Sequence, residues 1–427
     1  MQHVLIIGMG ITGRSMAKKL AEKGIRCFGF DDKDLAEGVA PFETFEATPV
    51  DAIIKSPGIR PDHPLILEGE RLGLSVYSDL DIFGRYFQHT ILAVTGTNGK
   101  TTTTSLIASI LEQSHKAQAI GNIGVGVMDA IDSDNEMVVV ECSSFQLAFS
   151  NSFHPNVAVI TNISPDHLDW HGTFNNYRDA KLNVLSQLTE KDFCVLNYHD
   201  SELQSLDTSA KVVYFSLDDF GKNGAFIRDN TFCYRTGEAV EAIMSVKDVQ
   251  LIGNHNLENI LAAICAVKVL NVDNKDIEMA LKAFEGVEHR LEYVTTKGGV
   301  AFYNDSKGTN PDSSIKAVSA FEKRLHLIAG GYQKYADYTE LLEIAKGKLA
   351  GLYLIGETAP DIKKVADGLG IGNNMYANLE DAVLAAYHNS EAGDSILLSP
   401  ACASWDMYES YEVRGRHFKR VVNNLED

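Results

Sequence analysis

A three-domain α/β architecture is what this sequence predicts, on three observations. The chain opens with a strand, a glycine-rich turn and a helix, His3 to about Gly24. A second strand-loop-helix follows at Ile91 to Glu112, where ILAVTGTNGKTTTT carries an apolar run into a glycine-flanked turn and a lysine. In the last third, apolar strands alternate with amphipathic helices, the pattern of a parallel sheet. The length of 427 residues suits about three domains of ~100 to 200 residues each. The expected order is a Rossmann-like N-terminal domain at 1–88, a central P-loop ATPase-type domain at 89–286 and a C-terminal Rossmann-like α/β domain at 287–427.

Composition narrows the function classes. At 45% hydrophobic and 22% charged residues the chain reads as a soluble globular protein, and no stretch is apolar for long enough to span a bilayer. The start, MQHVLIIGMG, lacks a basic segment and a long apolar core, so it reads as a first strand and not as a signal peptide. Against 38 Lys+Arg stand 58 Asp+Glu, a formal charge of −20 that argues against nucleic acid or an anionic membrane as partner. An anionic ligand must then find local positive charge. The six cysteines show no paired CxxC spacing and read as reduced thiols of a cytoplasmic protein.

In the first domain, the strand His3 to Ile7 runs into Gly8-Met9-Gly10-Ile11-Thr12-Gly13, and a second strand ends at Asp31-Asp32. This is a dinucleotide-type fingerprint: glycines for the tight turn, phosphate approach and helix packing, and an acid about where a ribose hydroxyl is read. It specifies phosphate and ribose more firmly than nicotinamide, so NAD and a UDP-type ligand both fit. Ala52 to Ile54 leads into Ser56-Pro57-Gly58, a turn at the strand end where ligands of open α/β sheets bind.

In the second domain, the strand Ile91 to Val94 and the helix Thr101 to Glu112 flank the phosphate loop Gly96-Thr97-Asn98-Gly99-Lys100-Thr101-Thr102. Unpaired N–H groups at the helix start favour phosphates, Lys100 adds a point charge, and Thr101 offers a hydroxyl to Mg²⁺. MVVVE (Met137 to Glu141) is a buried strand ending in a carboxylate, which makes Glu141 a candidate Mg²⁺ ligand. Val157 to Ile160 leads to NISPDHLDWHG, with Asp166, His167, Asp169 and His171 close together. A zinc site from the two histidines needs a helix, and Pro165 and Gly172 argue for a loop, so a hard-metal or carboxylate contact is the more economical reading. His171 also has a plain packing role against Trp170. Phe174 to Leu188 reads as a helix with Tyr177, Lys181 and Leu185 on one stripe; a helix lysine is ordinarily solvated. Leu257 to Leu270 is a further helix, after Gly253-Asn254-His255-Asn256.

The third domain begins with Glu288-His289-Arg290-Leu291-Glu292 and the dense polar run Asn304-Asp305-Ser306-Lys307-Gly308-Thr309-Asn310-Pro311. Strands at Leu325 to Ala329, Gly351 to Ile355 and Ser395 to Leu398 alternate with helices at Thr339 to Lys346, Leu379 to His388 and Arg414 to Asn423. The last strand runs into LLSPACASWDMY.

Taken in order, VTGTNGKTTT, ECSSFQL, DHLDWHG followed by YRDAK, GNHNLENILAA, EHRLE, NDSKGTNPDS and LLSPACASWD resemble the Mur ligases over essentially the whole chain. The N-terminal GMGITG unit and SPACASWD are most similar to the D-glutamate-adding branch. The resemblance implies ATP-dependent joining of D-glutamate to UDP-N-acetylmuramoyl-L-alanine through an acyl phosphate, in cytoplasmic peptidoglycan precursor synthesis. It also implies a monomer with small-molecule substrates, two Mg²⁺ sites, and no membrane or nucleic-acid partner. It assigns Lys100, Glu141, His167, Lys181 and Lys307 to catalysis. Thr101, Glu141 and His167 go with metal, together with Lys181 carbamylated by CO₂. Asn259, Arg290 and Asp305 join the phosphate loop for ATP. For the UDP-substrate it uses Ile11, Thr12, Asp31, Asp32, Ser56, Pro57, Gly58, Asn122 and Gln146; for D-glutamate it uses His167, Lys307, Thr309, Lys334, Ser404 and Tyr411. The sequence departs from the family pattern at Trp405, at Tyr411, often Phe, and at Asp32-Lys33, often Thr-Arg. Because ATP residues fall in both later domains, a closing hinge near Gly286 is expected.

Overall fold

The computed structural model describes residues 1–31, 35–123, 125–204, 206–333 and 336–425. They form two compact units, Met1–Val249 with Glu258–Ala283, and Gln250–Leu257 with the chain from Phe284 onward. Among the described residues no helix is long and apolar enough to cross a membrane.

The first unit holds two sheets. A five-stranded parallel sheet runs in the order Ala40–Pro41, Arg26–Phe30, His3–Ile7, Ala52–Lys55, Ser75–Tyr77. Strand order reverses about His3–Ile7, and a crevice opens at the C-terminal ends on such a switch point. The two turns expected to bind a ligand meet there: Ser56 Oγ donates to Gly8 O at 2.6 Å. Gly13 is required by the close helix, since a Cβ there would sit 2.0 Å from Gly8 O.

The second sheet has nine strands, in the order Ala239–Ser245, Thr231–Thr236, Gly224–Arg228, Lys211–Phe215, Phe193–Asn197, Val157–Ile160, Thr90–Thr95, Met137–Glu141, Ala117–Gly121. All neighbours are parallel except around the hairpin strand Thr231–Thr236. Its turn, Asp229-Asn230, has φ of 49° and 58°, the left-handed pair that a tight hairpin needs. The central strands are buried on both faces, which is why VAVI and MVVV are continuous apolar runs and not alternating ones. Register sets Val94 beside Glu141 and Thr95 beside Ile160, so the phosphate loop, Glu141 and Thr161 all leave the sheet at one edge.

The second unit carries a six-stranded sheet, Glu292–Lys297, Val300–Asn304, Ser395–Leu398, Leu325–Ala329, Leu349–Leu354, Asn373–Met375, in which only the first strand is antiparallel. The polar run from Asp305 and the turn from Ser399 leave the C-terminal ends of neighbouring strands.

Three expectations are corrected. The α-helix from Phe174 ends at Leu182 and passes into a 3₁₀ turn, Asn183–Leu185, instead of continuing to Leu188. Asn183 accounts for the change, because its Nδ2 donates to Leu147 O and Ser150 O, both at 2.7 Å. The segment expected as pure loop contains one helical turn, Leu168–His171, entered through His167 at φ 51° and left through Gly172 at φ 76°. Positive φ at both ends permits the turn between Pro165 and Thr173 without extending it. The final helix also starts earlier, at Tyr411.

Candidate active site

The helix Lys100–Leu111 starts from Gly99 at φ 86°, a left-handed entry. A Cβ at Gly99 would lie 2.2 Å from Asn259 Oδ1, so glycine serves both conformation and packing there. Asn259 is buried and accepts from Thr103 Oγ1 at 3.3 Å, which places it against the phosphate loop. Lys100 Nζ folds over the loop and donates to Gly96 O at 2.8 Å and Thr97 O at 2.9 Å. Thr101 and Thr102 are buried in the first turn.

The next strand's exit clamps this loop. Asn98 N donates to Asn162 Oδ1 at 3.0 Å, Asn162 Nδ2 returns to Asn98 O at 3.0 Å, and Thr161 Oγ1 donates to Asn98 O at 2.6 Å. Tyr177 adds its hydroxyl to Thr97 Oγ1 at 3.0 Å. Thr161 and Asn162 were not singled out from sequence; the only signal was their place at the end of an apolar strand.

Beside the loop lies a cavity of 340 Å³. It is lined by Ile11, Thr12 and Pro57 from the first sheet's turns, Asn122 and Gln146 from the second sheet, and Lys100, His167 and Lys181. Of the residues expected for a UDP-type ligand, five therefore share one wall system. Ser56 sits just behind, on Gly8, and Gly58 has open space around its Cα. The Asp31 carboxylate accepts the Met9 N–H, so it also braces the turn. Asp32 lies outside the described residues.

Lys181 is 1% exposed. Its Nζ donates to Gly96 O at 2.7 Å and lies 4.7 Å from the Tyr177 ring centre. Burial, reinforced by the Lys100 charge, drives its amine well below the usual lysine range. Lys181 is therefore buried and not the solvated residue that a helix lysine ordinarily is. Glu141 is also 1% exposed; Asn122 Nδ2 donates to its Oε1 at 3.1 Å, and its Oε2 has no hydrogen-bond partner.

The histidines separate into two roles. His171 is buried, bonded to Ser144 Oγ at 3.0 Å, and packed 4.4 Å from the Trp170 ring. Burial pushes it down to about 4, so it is a neutral packing group. His167 is half exposed at the cavity, stacked edge-on to Phe145 at 4.9 Å, and lowered first by burial. Among the described residues no metal-compatible group contains either one.

In the second unit, Asp305 is buried, accepts from Ser399 Oγ at 2.7 Å and Leu291 N at 3.2 Å, and is pushed up to about 6 by burial. Arg290 Nε is buried without a partner. Lys307 Nζ stands 5.6 Å from the Tyr411 ring centre, and Thr309 N donates to Lys307 O at 2.9 Å. Ser404 is buried, its carbonyl capping a turn through Met407 N and Tyr408 N. Trp405 is 63% exposed against Tyr332. Lys334 lies outside the described residues. Arg414, not anticipated, is fully buried among these loops.

Comparison with known proteins decides the family. The Mur ligase middle domain matches residues 94–267, and the Mur ligase glutamate ligase domain matches 289–402. The UDP-N-acetylmuramoylalanine–D-glutamate ligase of Clostridioides difficile (strain 630) is 39% identical over 99% of both chains. The chain belongs to the Mur ligase family. The enzyme of the same name from Alkaliphilus oremlandii is also 39% identical, over 99% of this chain and 98% of that one. Mur ligase architecture extends to solved structures of low identity. A pseudomurein peptide ligase type C from Methanothermus fervidus aligns at TM-score 0.62 and 17% identity over 99% of both chains. The MurF ligase from Thermotoga maritima, solved in complex with ADP, aligns at TM-score 0.62 and 17% identity over 98% of this chain and 95% of that one.

Proposed function

We propose that this Mur ligase joins D-glutamate to UDP-N-acetylmuramoyl-L-alanine, cleaving ATP to ADP and phosphate, in cytoplasmic wall-precursor synthesis. One observation carries the reading: a single cavity is lined both by the phosphate-loop lysine, Lys100, and by the UDP-type turn, Ile11 and Thr12. A nucleotide-sugar acid and a triphosphate brought to one cavity are set up for phosphoryl transfer between them.

The lactyl-alanine carboxylate oxygen attacks the γ-phosphorus, and the bond to the β-phosphate oxygen breaks to release ADP. The amine of D-glutamate then attacks the acyl carbon, phosphate leaves, and the amine gives up its proton. The obstacle in the first step is repulsion between two anions. Lys100 reduces it by exchanging its two carbonyl acceptors for phosphate oxygens, and the loop N–H groups hold the triphosphate in line. Asn259 packs the loop from behind, and Arg290 and Asp305 serve the phosphate and ribose.

Mg²⁺ fits the residues present, because Glu141 Oε2 is a buried carboxylate oxygen with no partner and the Thr101 hydroxyl lies in the adjoining helix turn. Held by Glu141 and Thr101, with His167 toward a second ion, Mg²⁺ would supply Lewis-acid neutralisation of the phosphate charge. Lys181 fits carbamylation, since burial drives its amine well below the usual lysine range and so favours the neutral form that is nucleophilic toward CO₂. A carbamate there would replace an amine, which repels metal whenever it is protonated, with an anion that attracts it. Lys307, Thr309, Ser404 and Tyr411, with Lys334 and His167, take D-glutamate, two lysines answering two carboxylates. The reading carries domain limits of 1–88, 89–286 and 287–427 and a monomeric protein.

The test is phosphate release from ATP with Mg²⁺ and UDP-N-acetylmuramoyl-L-alanine, with and without D-glutamate. Release is expected to require both, with L-glutamate inert. Turnover independent of D-glutamate would sink the proposal.

A further inference from the structure

Gln146 reaches the cavity with its side-chain amide held at both ends. Ser143 N, which only donates, meets Gln146 Oε1 at 3.0 Å, and Ser143 Oγ meets the same oxygen at 2.9 Å. That fixes which end is oxygen, so nitrogen faces the other way. There Nε2 donates to Asp79 Oδ2 at 2.8 Å. A second N–H remains on that nitrogen.

Asp79 stands 67 residues away in the chain, at the start of the helix Asp79–Tyr86, and lines the same cavity. It is 2% exposed and its Oδ1 has no partner. A buried carboxyl with one bare oxygen is costly, and an apolar residue would fill the space more cheaply. A charged acceptor does give a stronger bond to an amide than a neutral one. The nearby cation is Lys55, 1% exposed, whose Nζ donates to Pro57 O and Phe145 O, both at 3.2 Å. Lys55 thus ties the Ser56-Pro57-Gly58 turn to the residue preceding Gln146. Burial pushes Asp79 up to about 6 and Lys55 down to about 7, and each charge opposes the other's shift.

We infer that Asp79 is a positioning residue for the UDP-linked substrate: it holds the Gln146 carboxamide so that the remaining N–H meets an acceptor oxygen of the substrate sugar. The inference rests on the function proposed above. Asp79 acts through Gln146, and its removal therefore weakens the UDP-substrate and leaves ATP alone.

Steady-state kinetics of the full chain test this with Asp79→Leu, Asp79→Asn, Gln146→Leu and the double variants. Asp79→Leu is expected to raise KM for the UDP-substrate roughly 10-fold, with KM for ATP unmoved. Asp79→Asn, which keeps a neutral acceptor, is expected to cost about 3-fold. Because the two residues act as one, Asp79→Leu/Gln146→Leu is expected to be no worse than Gln146→Leu alone. If Asp79→Leu does not fold, Asp79→Asn and Asp79→Asn/Gln146→Leu run the same cycle. An unmoved KM for the UDP-substrate, equal rises in both KM values, or losses that multiply in the double variant would each overturn the inference. Wild-type protein that releases no phosphate with both substrates would instead overturn the function beneath it.

Discussion

Lys181 in the first unit and Arg414 in the second are both basic side chains buried to 1% or less, yet their surroundings differ in kind. Lys181 donates a hydrogen bond to Gly96 O and has an aromatic ring beside it. Arg414 donates four: Nε to Ser306 Oγ, Nη1 to Ala403 O, and Nη2 to Ser306 O and Cys402 O. Burial lowers both, but Arg414 only to about 10, so it stays charged at neutral pH, while Lys181 is driven well below its usual range. A planar fork with four of its five donors used makes a staple, here joining the Ser306 and Cys402 loops that carry Lys307 and Ser404. A sparsely bonded amine is kept for chemistry. The lesson is that burial of a cation says little until its donors are counted.

The comparison breaks most sharply if Lys181 proves structural. Lys181→Met is expected to cut ligase turnover by on the order of 10²- to 10³-fold with little change in melting temperature. Phosphate-release kinetics beside a thermal melt check it, and a large fall in melting temperature would put Lys181 with Arg414. Arg414→Met should behave in the opposite sense, destabilising the chain by about 3 kcal/mol because several buried carbonyls lose their donor. Urea unfolding measures this, and Arg414→Lys is expected not to restore it, since an ammonium does not reproduce the fork. Glu141→Gln tests the buried carboxylate whose Oε2 has no partner. Even an outer partner of a metal ligand is worth at least roughly 10-fold in affinity, so the Mg²⁺ concentration for half-maximal rate should rise by that much or more. An unchanged Mg²⁺ requirement would remove Glu141 from the metal site. The smallest effect concerns Asp305. Its carboxyl is raised to about 6 from an ordinary value of about 3.9, so the folded state binds the proton more tightly than the unfolded chain. That stabilisation is complete below the ordinary value and is lost as pH rises through 6. Asp305→Asn should flatten the melting temperature between pH 4 and 6, in part only, because Asp79 titrates in the same window.

Features set by local chemistry were legible in the chain. The phosphate loop was readable because its glycines, lysine and hydroxyls act through backbone geometry within a few residues. The strand ends at Ile160, Ala329 and Leu398 were readable because apolar runs stop where burial stops. Where local signals were weak the reading slipped: Leu168–His171 is a single turn too short to show periodicity, and Asn183 ended a helix through bonds to residues more than 30 positions away.

What the sequence determined by itself, then, was the α/β class, the two nucleotide-type turns and eight of the residues that line the cavity. Tertiary structure alone decided their electrostatic state. Lys181 finds Gly96 across 85 residues, Gln146 finds Asp79 across 67, and Arg414 finds Ser306 across 108. A lysine or aspartate carries no local mark of its burial or its partners, because desolvation and hydrogen-bond satisfaction are set by whatever the fold packs around it.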